Sequence, residues 1–161
     1  MWLQWVVIPL PPCCPDANCY AGGTQGQDYP ALVASEGLSA TQSAYLTGLT
    51  ENTARYRSNI GMVNVRGEPA TVLVGLFNGD GTRLTEYPAS LGVGQWSQVT
   101  QLFLNHAGQT AMDRGYAKVT VEFGSGVFAF GSVVDNITND PTAVAMQREP
   151  RASRPRHWND P

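Results

Sequence analysis

The stretch from Gly115 to Phe123 alternates without a break. Ala117, Val119, Val121 and Phe123 are apolar, and Tyr116, Lys118, Thr120 and Glu122 between them are polar or amphipathic. A period of two puts one set on each face of an extended chain and cannot be laid on one side of a helix. It predicts a half-buried antiparallel strand. Gly124-Ser125-Gly126 follows, a segment able to take positive φ, and Val127 to Asp135 runs back with Phe128, Phe130, Val133 and Val134. The pair reads as a hairpin.

The same signals recur upstream. Ala70 to Phe77 is β-branched and apolar, Asn78-Gly79-Asp80-Gly81 is a turn, and Thr82 to Tyr87 leaves it. Pro88 is expected to end that strand, because proline has no N–H to give a ladder. Tyr56 to Val65, Ala44 to Leu49 and Gln95 to Val99 read as further strands, and Leu102 to His106 as one helical turn. About seven short strands with turns between them predict an all-β, antiparallel β-sandwich of immunoglobulin or fibronectin-III type. Val72, Val74, Leu76, Val119, Val121 and Phe123 are its expected core. Several strands are apolar on both faces, which implies that one sheet face is covered by a neighbour, a linker or a partner.

Composition narrows the function. Of 161 residues only 14% are charged, with ten basic and thirteen acidic side chains and a single lysine, Lys118. That is against a coiled coil and against a basic nucleic-acid binder. No apolar run reaches the ~20 residues of a membrane-spanning helix. Residues 1–20 read as an irregular extension: Trp2 to Leu10 is apolar apart from Gln4, then prolines and Cys13, Cys14 and Cys19 follow. No basic residue precedes the apolar run, so it is not a convincing signal peptide. The three cysteines do not suit one tetrahedral zinc, although a disulfide to Cys19 is feasible. Residues 21–43 read as a connector, 44–147 as the sandwich and 148–161 as a basic disordered tail holding Arg148, Arg151, Arg154 and Arg156.

Motifs for chemistry are sparse. The body holds one histidine, His106, and no Gly-x-Ser-x-Gly turn. No phosphate loop or dinucleotide fingerprint is present. Asp135, Asn136, Asn139 and Asp140 offer four oxygen-bearing side chains that could hold calcium, although the spacing is not that of an EF-hand and turn formation explains the same residues. Tyr116, Trp96 and Tyr56, with other strand aromatics such as Tyr45, are candidates for a carbohydrate platform, since rings beside polar groups suit binding surfaces.

One further likeness comes from particular residues. Arg57-Ser58-Asn59-Ile60-Gly61-Met62-Val63-Asn64, Pro69-Ala70-Thr71-Val72, Asn78-Gly79-Asp80-Gly81, Gly115-Tyr116-Ala117-Lys118-Val119 and Ser132 through Thr142 together resemble a β-sandwich accessory module of large secreted bacterial proteins. That module lies near C-termini, often in tandem copies. Tyr29-Pro30-Ala31-Leu32 through Leu49 looks like the connector out of a preceding copy. The resemblance implies an extracellular or cell-surface accessory module and supplies no catalytic residues. The expected function is therefore a non-catalytic structural or adhesive module with no cofactor. Its partners would be neighbouring domains or copies of itself through a sheet edge. The alternative is a carbohydrate-binding module using surface aromatics.

Overall fold

The computed structural model describes residues 33–149. The extension with Cys13, Cys14 and Cys19, most of the expected connector, and the tail beyond Glu149 lie outside the described residues. After a 3₁₀ turn at Ala34–Glu36 come ten strands: β1 (Leu38–Ser39), β2 (Ser43–Asn52), β3 (Tyr56–Asn64), β4 (Ala70–Phe77), β5 (Arg83–Leu91), β6 (Trp96–Val99), β7 (Ala111–Phe123), β8 (Ser125–Asp135), β9 (Pro141–Ala145) and β10 (Gln147–Arg148). One helix, α1 (Leu102–Ala107), lies between β6 and β7. The extra strands beyond the expected seven are mostly two to five residues long, too short to show a period.

All pairings are antiparallel, in one sheet that does not close. Its ladders form two layers. The first runs β5–β4–β7–β2, with β10 on the far side of β2. The second runs β6–β3–β8, with β1 and β9 sharing the other edge of β8. The layers are joined through the β2–β3 turn, where Asn52 pairs with Tyr56. Between them lies one apolar cluster, fed by Leu46, Leu49, Val72, Val74, Val119 and Val121 from the first layer and by Leu38, Ile60, Met62, Val127 and Ala129 from the second. This is the sandwich-like all-β fold expected from the period of two.

Three expectations need correction. The hairpin Ala70–Phe77/Thr82–Tyr87 forms as expected, but Gly115–Phe123 and Val127–Asp135 do not pair with each other. β7 is flanked by β2 and β4, and β8 by β3, β1 and β9. The chain passes from one layer to the other through Gly124 and Gly126, at φ +85° and +78°, angles that glycine takes without steric cost. The β1–β2 connection crosses beside it, tied on by Ala40 N to Gly124 O (3.0 Å) and Thr41 N to Val121 O (2.8 Å).

The second correction is Phe123, which is 63% exposed, whereas Val72, Val74, Leu76, Val119 and Val121 have no exposed surface. The β4–β7 ladder shifts register between Thr71 and Val72. Phe123 lies past that shift, at the last position of β7 and opposite Thr71. Third, Pro88 does not end β5, which runs on to Leu91. Among the described residues β5 pairs only with β4, so a missing donor on its outer side removes no ladder bond.

Candidate functional site

The first layer turns an aromatic and polar face outward. Register sets Tyr45, Lys118, Gly75 and Glu86 in one row across β2, β7, β4 and β5. Tyr116 and Phe77 form the next row, and their rings stack at 4.7 Å with 2° between planes. Tyr45 leans on Tyr116 at 6.3 Å and 53°. The Lys118 ammonium sits 5.4 Å from the Tyr45 ring centre and 3.8 Å from the Glu149 carboxylate, and the Tyr45 hydroxyl donates to Glu149 at 3.3 Å. Tyr45, ahead of Glu149, holds the Lys118 ammonium above its usual pKa range. Across the hollow left by Gly75, Glu86 pairs with Arg83 at 3.2 Å.

The three aromatics expected to make a platform are not brought together. Tyr116 is on this face. Trp96, 52% exposed, opens β6 opposite Val63 on the second layer, and Tyr56 begins β3 opposite Asp135. Tyr56 and Val63 are seven residues apart on one strand, about 23 Å. Tyr116 instead has Phe77 and Tyr45 as companions. Phe77 reads in sequence as one more apolar strand residue, and only the β4–β7 register reveals the stack.

The loop after β8 is built around arginines. Asp135 Oδ1 accepts from the Ile137 and Thr138 amides at 2.8 and 3.3 Å, and Asp135 Oδ2 lies 3.7 Å from Arg55. The Arg57 guanidinium donates to Asn136 Oδ1 and, at 3.3 Å, to Asn139 Oδ1. Three of the four oxygen donors considered for calcium thus already face the protein's own cations. The Asp140 amide donates to Thr138 at 3.3 Å and its carbonyl accepts from Asp135 N at 3.1 Å, which closes the turn. Among the described residues, no group of three His, Cys, Asp or Glu side chains is placed to hold a metal.

Other titratable groups also serve the fold. Glu51, 1% exposed, accepts from the Phe103 and Leu104 amides and so caps α1. His106 stacks on Tyr87 at 3.7 Å and 12°. Burial holds the imidazole below its usual pKa and the Tyr87 phenol above its own. Asp80 accepts from Thr82 N at 2.7 Å in the β4–β5 turn, a bond that lowers its pKa.

No family model matches the chain, and no curated protein matches it. Among solved structures, it is similar to the crystal structure of Thermotoga maritima 1070, at 12% identity and a TM-score of 0.50, over 69% of this chain and 94% of that one. A likeness at that identity speaks for the fold alone. Among the described residues no helix is long and apolar enough to cross a membrane.

Proposed function

We propose that this chain is a non-catalytic structural or adhesive module of the cell exterior, immunoglobulin- or fibronectin-III-like in build. It joins to a second copy of itself through the open edge of β6. The observation that carries this reading is a contrast between two edges. β5, at the rim of the first layer, holds Pro88 and the Arg83–Glu86 ion pair, devices that discourage strand addition. β6 pairs only with β3 among the described residues and carries Trp96 beside Val93 (60% exposed) and Val65 (37%). An edge that is open among the described residues, with an exposed indole at its start, suits pairing with an identical edge around a two-fold axis.

The absence of catalysis is supported by the structural engagement of Glu51, His106, Asp80 and Asp135. Placement outside the cell rests on the resemblance to accessory modules of secreted proteins, which also makes a second copy a natural partner. The experiment is sedimentation equilibrium of the full chain against its Trp96→Glu variant. Self-association that the substitution abolishes, with thermal unfolding unchanged, supports the reading. A chain that is monomeric at ~1 mM, where ~4 kcal/mol of association would show, contradicts it.

A further inference from the structure

The outward face of the first layer has a gap at Gly75. In the row Tyr45–Lys118–Gly75–Glu86 it alone lacks a side chain, and a hollow of about 30 Å³ opens there, lined by Leu73, Phe77, Glu86, Lys118 and Thr120 as well as Gly75 itself. A Cβ on Gly75 would lie 3.0 Å from Phe77 Cε2 and 3.9 Å from Glu86 Oε2, so any larger residue fills the hollow and pushes on the ring. We propose that this hollow and the face around it form a saccharide subsite: one pyranose ring of a neutral glycan lies over the gap and sinks a single hydroxyl or hydroxymethyl group into it.

The chemistry of the walls points to that ligand class. Along β4 the walls are apolar: Leu73 on one side of the gap and the edge of the Phe77 ring on the other, which give dispersion contacts to the C–H groups of a sugar. Across the strands they are polar: Lys118 on β7 can donate and Glu86 on β5 can accept, with their backbones about 10 Å apart, two strand spacings. A sugar hydroxyl is both donor and acceptor, so one ring carries partners for both walls. Both charges are already matched, Lys118 by Glu149 at 3.8 Å and Glu86 by Arg83 at 3.2 Å. An ionic ligand would have to displace one of those partners, whereas an uncharged ligand need not.

Two further features fit. The Phe77–Tyr116 stack is braced by Tyr45, so the ring edge at the hollow is held before a ligand arrives and little side-chain entropy is lost on binding. The site lies mid-sheet, where β4 is paired on both sides, so a peptide cannot enter by strand addition. The hollow is shallow, so one ring contributes weak affinity. The subsite does not depend on self-association through β6, which lies in the other layer.

The test is an amide-resolved NMR titration of the full chain with cellohexaose, chitohexaose, maltohexaose and laminarihexaose. At least one should shift the amides of Leu73, Gly75, Phe77 and Lys118 along a saturable curve, with Kd about 1 mM or tighter. Gly75→Val, which suits a strand but fills the hollow, and Glu86→Ala, on an exposed side chain, should each weaken binding about tenfold or more while the rest of the spectrum stays in place. The proposal is overturned if no member of the panel moves these amides at ~10 mM, an order above the expected Kd. It is equally overturned if the shifts map to Trp96 instead, if polygalacturonate binds in place of the neutral sugars, or if a folded Gly75→Val or Glu86→Ala binds as tightly as the parent.

Discussion

Glu51 on β2 holds the amino end of α1 through Leu104: its Oε1 accepts the Leu104 amide at 2.9 Å while its Oε2 takes the Phe103 amide at 3.1 Å. The helix does not cap itself. Gln101, at the cap position, is left-handed at φ 49° and makes no side-chain cap bond. The carboxylate that replaces it comes from 52 positions before Phe103, near the end of β2. Its burial is made tolerable by two donors and the positive end of the helix. Glu51→Leu leaves both amides without that acceptor and should cost about 2–5 kcal/mol of unfolding free energy, with Glu51→Gln losing less. Urea unfolding measures both; a Leu variant within ~0.5 kcal/mol of the parent would remove the cap from the account.

The Tyr87–His106 stack makes stability depend on pH. Burial holds the folded pKa of His106 below 6.5, its ordinary value. The unfolded chain then binds the proton first as pH falls, so the contribution of neutral His106 is fully present above the unfolded value. It is lost as pH drops from about 6.5 to the lower folded pKa, and below that the dependence flattens. His106→Phe keeps a ring on Tyr87 without the titration. The pH dependence of the two urea midpoints should therefore differ between the folded pKa and pH 6.5 and run parallel above and below that window. Parallel curves across pH 5 to 8 would show that His106 does not titrate as argued.

Gly61 on β3 pairs with Phe130 on β8, and the Phe130 ring lies where a Gly61 Cβ would be. Gly61→Ala forces that ring off its strand neighbour and should cost about 1–3 kcal/mol. In Phe130→Leu the obstacle is smaller, so the same alanine should cost less there. A double-mutant cycle measures the coupling; a value near zero would mean that the ring does not cover Gly61.

The loop after β8 should not respond to calcium, because Arg55 and Arg57 already face Asp135, Asn136 and Asn139. Calcium and a chelator should leave the melting temperature of the full chain unchanged, whereas Arg57→Ala should lower stability by about 1–2 kcal/mol. A rise in melting temperature with added calcium would reverse this assignment, since a ligand of the folded state stabilises by mass action.

What the chain spells out locally was legible, and what depends on register was not. Alternation at Ala117, Val119 and Val121, and the Asn78–Gly81 turn, each report their own backbone, so strands and the β4–β5 hairpin could be read directly. Gly124-Ser125-Gly126 reports only that the chain reverses. A hairpin and a crossing between layers need the same positive-φ glycines, and the difference lies in the long-range partners: β2 and β4 flank β7, and β3, β1 and β9 flank β8. Glu51 carries no local signal of its role, because the amides it serves lie in α1. Tyr116 was visible as a ring beside Lys118, but its stack with Phe77 and the gap at Gly75 appear only once β4 and β7 are aligned. Trp96 and Tyr56 were grouped with it by residue type, and the fold puts them on other elements.

The most direct check on the proposed role is hydrogen exchange at β6 in the full chain, compared between dilute and concentrated protein. Half of the β6 amides point toward β3 and are protected by that ladder in any state, which makes them an internal reference. If copies join edge to edge, the β6 amides that point away from β3 become protected as concentration rises, and Trp96→Glu abolishes the gain. If those amides exchange at the same open rate from micromolar to about 1 mM protein, no second copy pairs with β6 and the adhesive reading of this edge is wrong.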